Sequence, residues 1–332
     1  MFKFRSVKIV VLAVGLLITG VTSPVLSKTI MNLGWSTPLD SSNGVFAEKF
    51  AERVKELSNG NIVVRLRPSA QIATEDDAVK AMQLGTVDSY LVTNNNISPH
   101  FDLADVFVLP YIFRDYAHAE AVLDGEVGDY VKKKFFAQTG IHLITYNAIS
   151  SRDFYNVTRP IKSMKDMSGL KVRVPKNQVM ISTYKAFGAE PIPMSWSETP
   201  TALQTRTIDG ADNGTSVILE TKLFEFAKNL CILDHFIAFT PFLASDVFMS
   251  RLSEDEAALV RQAAVDAQAH QRKIMSAQIE SVRSALVGKG MVRTDPDRAE
   301  FIAAAEKVQT EYARHKGKDF QELVNKIRAV GK

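Results

Sequence analysis

Ser151–Asn213, SRDFYNVTRPIKSMKDMSGLKVRVPKNQVMISTYKAFGAEPIPMSWSETPTALQTRTIDGADN, is the stretch whose reading decides the fold. Leu170 to Pro175 alternates apolar and charged residues with the period of a strand, and Pro175 stops it. Arg173 is therefore expected at a strand end facing a cleft. A guanidinium held rigidly there suits a planar carboxylate, because its fork of donors reaches both oxygens with parallel hydrogen bonds. A lone strand arginine is usually just solvated; here Arg152, Trp196 and Asn213 keep it company. Trp196 lies where a strand ending at Pro193 passes into a helix, and it serves either as one side of a pocket or as ordinary core. Asn213 follows the Asp209-Gly210 turn and is either an amide donor to an anion or simply a turn residue.

Outward from this stretch, the chain alternates strands and helices. Toward the N-terminus come a strand at Ile30–Gly34 and a helix capped by Ser41 or Ser42, with Phe46, Phe50, Val54 and Leu57 on one face. A strand to Pro68 follows, then a helix opened by Thr74 with Glu75, Asp76 and Asp77, and a strand at Ser89–Val92 that runs into Thr93-Asn94-Asn95-Asn96. A helix is expected over Tyr116–Phe136 and a strand over Ile141–Tyr146. The pattern restarts after Ser150, with a strand to Pro175, a helix over Asn177–Phe187, a strand to Pro193, a helix from Ser197 and a short strand into Asp209-Gly210. This repetition predicts an α/β protein of two lobes with a cleft between them, ligand contacts falling at the carboxyl ends of strands. Phe236–Met249, apolar with Pro241 in its middle, reads as a strand crossing between the lobes, and Ser253 caps a helix expected to continue to Lys289. Residues 28–149 with about 239–280 are assigned to lobe I, and 150–238 with about 281–332 to lobe II.

Composition removes several classes of function. The 332 residues carry 23% charged side chains and a net charge of +3, so no basic field marks a nucleic-acid partner. Lys3, Arg5 and Lys8 precede an apolar run from Ile9 to Ile18 and then small residues, the layout of a secretory signal peptide over residues 1–27 cleaved after Ser27. Cys231 is the single cysteine, which leaves no intrachain disulfide. An exported, periplasmic protein is expected. Its six histidines lack metal-ligand spacing and no nucleotide-binding glycine motif occurs, so no metal, cofactor or catalytic group is expected.

Five segments carry a resemblance: Phe50-Ala51-Glu52-Arg53-Val54, Pro68-Ser69-Ala70-Gln71-Ile72, Leu109-Pro110-Tyr111-Ile112-Phe113-Arg114-Asp115, Gly169 to Pro175, and Ala202-Leu203-Gln204-Thr205 with Ile208-Asp209-Gly210. In this order they resemble the solute-binding proteins of tripartite ATP-independent periplasmic (TRAP) transporters, the C4-dicarboxylate and sialic-acid binding family. The resemblance implies a two-lobed clamp of the type II periplasmic binding protein kind, with a long helix behind both lobes. It implies that Arg173 pairs with a ligand carboxylate, that Arg152 and Asn213 complete the clamp and that Trp196 lines the pocket. The facing lobe then contributes polar contacts, for which Glu75, Asn94 and Asn43 are the candidates. The implied partners are a small organic acid and the membrane subunits of a TRAP transporter, and the protein is expected to be a monomer.

Ser150 stands where the family commonly has glycine, Arg206 follows Gln204-Thr205 where glycine is usual, and Gly214 stands where proline is frequent. Glu75 would repel a second carboxylate and favour hydroxyls, so a sugar acid is favoured over a C4-dicarboxylate or a keto acid. The alternative to transport is a binding protein that feeds a sensor from the same pocket.

Overall fold

In the computed structural model, which describes residues 28–275 and 278–331, nine strands share one sheet. The leader expected over residues 1–27 lies outside the described residues. The first lobe opens with β1 (Thr29–Gly34), α1 (Ser42–Leu57), β2 (Ile62–Arg67), α2 (Glu75–Gln83) and β3 (Ser89–Leu91), followed by α3 (Tyr116–Leu123) and α4 (Glu126–Thr139). Local chemistry sets these ends. Ser41 Oγ accepts from Gly44 N–H to cap α1, whose Phe46, Phe50 and Val54 are buried on one face, and three acids fill the positive first turn of α2. The expected helix over Tyr116–Phe136 is two helices, because the backbone breaks at Asp124 and Gly125.

β4 (Ile141–Asn156) leads into the second lobe: β5 (Lys171–Val174), α5 (Gln178–Ala186), β6 (Glu190–Pro193), α6 (Thr199–Gln204), β7 (Gly210–Gly214) and α7 (Thr215–Glu220). β8 (Asn229–Ser245) returns to the first lobe, and α8 (Asp246–Met249), α9 (Glu254–Met275), α10 (Ile279–Gly288), β9 (Val292–Thr294), α11 (Ala299–Lys316) and α12 (Lys318–Ala329) close the chain. The sheet runs β2-β1-β3-β8-β4-β7-β5-β6, with β9 beside β8.

β4 and β8 join the lobes. They pair antiparallel from Ile141 opposite Ser245 to Asn156 opposite Asn229. One end of this ribbon meets β3 and the other meets β7. Between Asn147 and Ser150 the register shifts, and Ala148 takes a positive φ of 48° there, opposite Ala238 and Thr240. This irregularity is the waist of the molecule.

The expected strand ending at Tyr146 runs ten residues further, to Asn156. Its continuation, Asn147 followed by Ser150-Ser151-Arg152-Asp153, lacks the apolar signature of a buried strand: Ser150 and Arg152 line the cleft, Arg152 and Asp153 form buried ion pairs, and Asn147 and Ser151 bond the Thr240 carbonyl and Asp234. The strand expected from Phe236 starts at Asn229 and stops at Ser245. The single long helix expected over Ser253–Lys289 is two, α9 packed on α1 and β4 and α10 packed on α7, so each lobe has its own. Gly317, at φ 89°, separates α11 from α12. α11 packs on α5 while α12 packs on α4, so the C-terminal region grouped with lobe II touches both lobes.

Candidate functional site

A pocket lies between the lobes at the waist, and strand ends deliver its walls. β5 stops at Val174-Pro175 and presents Arg173; β4 presents Ser150 and Arg152; β7 presents Asn213 and Gly214. The facing wall comes from Asn43 in the first turn of α1, Glu75 at the start of α2, and Thr93, Asn95 and Asn96 after β3. Trp196 closes one side.

Arg152 and Arg173 differ in what they already hold. Arg152 donates from Nε to Asp212 Oδ2 at 2.7 Å and from Nη2 to Asp212 O at 2.5 Å and Oδ1 at 3.1 Å. Asp212 in turn lies 3.4 Å from His235 Nε2, which bonds the Tyr184 hydroxyl at 2.9 Å. Burial would raise the Asp212 pKa, but Arg152 and His235 overcome it and hold this carboxyl well below the usual carboxylate range. Arg173 is 3% exposed, and its Nε donates only to the Met194 carbonyl, at 2.9 Å. Its guanidinium carbon stands 5.9 Å from the Trp196 ring centroid. Burial and the neighbouring Arg152 depress its pKa to about 10. Among the described residues no carboxylate pairs with it. An isolated buried cation costs several kcal/mol or more.

Asn213 lies inside β7 rather than after a turn, and its Oδ1 accepts from the Tyr155 hydroxyl at 2.7 Å. That bond fixes the amide and leaves its Nδ2 hydrogens for the pocket. Glu75 is buried; it accepts from Thr93 N at 3.3 Å, Thr93 Oγ1 at 3.1 Å and Asn96 Nδ2, while burial raises its pKa.

Of the residues singled out in the sequence, Arg152, Arg173, Asn213, Trp196, Glu75 and Asn43 come together. Asn94 does not line the pocket: its Oδ1 turns inward toward Phe239 N–H on β8, and Asn95 and Asn96 take the wall instead. The short 3₁₀ turn Asn94–Asn96 rotates successive side chains apart, which the polar run in the sequence does not reveal. The sequence reading missed Asp212, Gln271 and Glu220. Gln271 on α9 donates to Ser42 O at 2.5 Å and accepts from Ala148 N–H at 2.8 Å, tying α1 to the waist. Glu220 on α7 accepts from Ser42 N–H at 3.1 Å across the cleft. Asp76 spans the cleft in the other sense, accepting from Ser195 Oγ and from Lys176 Nζ at 2.9 Å.

The sequence profile of "bacterial extracellular solute-binding protein, family 7" matches residues 33–316. The chain belongs to this solute-binding family. The family 7 chain is 32% identical to the 2,3-diketo-L-gulonate-binding periplasmic protein YiaO of Escherichia coli, over 91% of this chain and 92% of that one. Its fold superposes on that of a TRAP periplasmic solute-binding protein from Polaromonas sp. JS666 bound to D-erythronate, with a TM-score of 0.87, 29% identity, and coverage of 92% and 100% of the two chains. A Roseobacter denitrificans protein with bound L-galactonate superposes with a TM-score of 0.85 at 28% identity, covering 91% and 99%. The α/β clamp expected of family 7 is therefore the fold of this chain.

Proposed function

We propose that this protein captures an organic acid in the periplasm, a sugar acid by preference, and hands it to the membrane subunits of a TRAP transporter. One observation carries this reading: Arg173 is a buried guanidinium with no carboxylate paired to it among the described residues, lining a pocket that Arg152 and Asn213 share. A solute carboxylate supplies the missing charge through paired N–H···O bonds, strong where water is excluded. The D-erythronate, L-galactonate and D-glucuronate held by similar proteins support the sugar-acid preference, while another holds succinate.

Capture involves no bond making. The solute binds both lobes, so it favours the arrangement in which they meet, by its differential affinity for that form. Glu220 with Ser42, and Asp76 with Ser195 and Lys176, then lock the rims. The lobes so joined form one surface for the membrane partner, and the protein acts as a monomer without nucleic acid. Export follows cleavage after Ser27.

A thermal-shift screen over uronates, aldonates, keto acids and C4-dicarboxylates tests this. Sugar acids are expected to raise the melting temperature most, a thousandfold excess over Kd adding about 4 kcal/mol of stability. A screen in which no carboxylic acid shifts the melting temperature overturns the reading.

A further inference from the structure

We propose that the lobe I wall accepts hydrogen bonds, and that Asn43 with Glu75 selects solutes ending in hydroxyls opposite their carboxylate, excluding those with a second carboxylate there. This rests on the carboxylate reading of Arg173.

Asn43 is 7% exposed and lines the pocket, and its Oδ1 is buried with no hydrogen-bond partner among the described residues. The bond to Thr37 holds the nitrogen end of the amide. Nδ2 donates to Thr37 Oγ1 at 3.3 Å, and Thr37 Oγ1 lies 2.7 Å from Ser41 Oγ, the cap that accepts from Gly44 N–H. With Nδ2 held by Thr37, Oδ1 is the free end of the amide. A buried acceptor of this kind calls for a donor, which a solute hydroxyl supplies.

Glu75 extends the same polarity. Thr93 and Asn96 direct donors onto its carboxyl group instead of into the cavity. The positive end of α1 does not reverse the pattern, because Ser42 N–H is taken by Glu220 and Gly44 N–H by Ser41 Oγ. The opposite wall is donor-rich, with Arg152, Arg173 and the Asn213 amide. One wall gives hydrogen bonds and the other receives them, so the solute must be a monoacid at one end and a polyol at the other. A second carboxylate would bring only lone pairs and charge to the Asn43 and Glu75 acceptors.

Isothermal titration with matched acids tests this: D-erythronate against meso-tartrate, and D-gluconate against D-glucarate. Within each pair the far carbon is either a hydroxymethyl or a carboxylate. The hydroxyl-ended member is expected to bind at least about 100-fold more tightly. Asn43→Ala should weaken the hydroxyl-ended acids about tenfold and leave the diacids unchanged, and Glu75→Gln should narrow the ratio within each pair. Diacids that bind as tightly as their partners overturn the polarity while leaving the carboxylate site standing, as does an Asn43→Ala variant that weakens both members equally. Failure of every acid to bind overturns the carboxylate reading and the inference with it.

Discussion

The Arg152 guanidinium lies on the Asp212 carboxylate, Nε to Oδ2 at 2.7 Å, with both side chains buried. Its charge is largely answered before any solute arrives. Arg173 beside it bonds only a neutral carbonyl. The clamp therefore has one arm held internally and one arm waiting, and the two should respond differently to mutation.

Arg173→Met removes the waiting cation. Apo stability should stay the same or rise, since an uncompensated buried charge has gone. Affinity for the best acid from the screen should fall by about 2–5 kcal/mol, the cost of deleting one partner of a desolvated charge pair. Calorimetry and melting curves check both halves, and a variant that still binds places the carboxylate elsewhere.

Asp212→Asn acts in the opposite way, leaving Arg152 and Arg173 as two buried cations without an internal anion. Apo stability should drop by about 3–5 kcal/mol. The native Asp212 carboxyl titrates below its ordinary 3.8, so its contribution is present above that pH and fades as the pH falls below it. Chemical denaturation across the acid range should show this loss in the native protein and not in the variant.

Glu220 has the reverse sign. Burial, with Asp40 acting the same way, lifts its pKa from 4.5 to about 7 even though Ser42 donates to it. The bond crosses the cleft, so the joined lobes hold a proton that separated lobes release. Closure is favoured fully below pH 4.5 and loses this advantage as the pH rises through 7. Solute affinity should weaken by about a hundredfold over that interval, and Glu220→Gln should flatten the profile. Titrations in buffers of different ionisation enthalpy should also detect proton uptake on binding.

Ser150 and Gly214 form a matched pair. A Cβ added at Gly214 would lie 2.5 Å from Ser150 Oγ. Gly214→Ala alone should therefore lose affinity, by about 1–3 kcal/mol for overpacking, and Ser150→Gly should restore it. A double-mutant cycle without coupling between them would refute the pairing.

That pair also marks what the sequence discloses. Ser150 and Gly214 look like two unrelated departures from the family pattern, and only the antiparallel pairing of Arg152 with Gly214 brings them together. Arg173 was legible because strand alternation and a terminating proline are local signals. Asp212 was not, because its partner lies 60 residues away and adjacent strand residues serve opposite faces. The alternation of strands and helices revealed two lobes. It could not reveal that β4 passes the waist, since the polar residues that break its apolar run are those the site requires. The break between α9 and α10 was hidden by continuous helical periodicity.

The crossing ribbon also bears on how the chain can fold. Ser89 on β3 has Leu33 of β1 on one side and finds its second neighbour only at Ala244, and Arg152 on β4 finds one of its neighbours at Phe236. A chain delivered N-terminus first thus has no complete sheet in either half until β8 has emerged. Both halves wait on one late strand, with the edges of β3 and β4 open meanwhile. Until the last third of the chain has been made, the sheet cannot close across the waist.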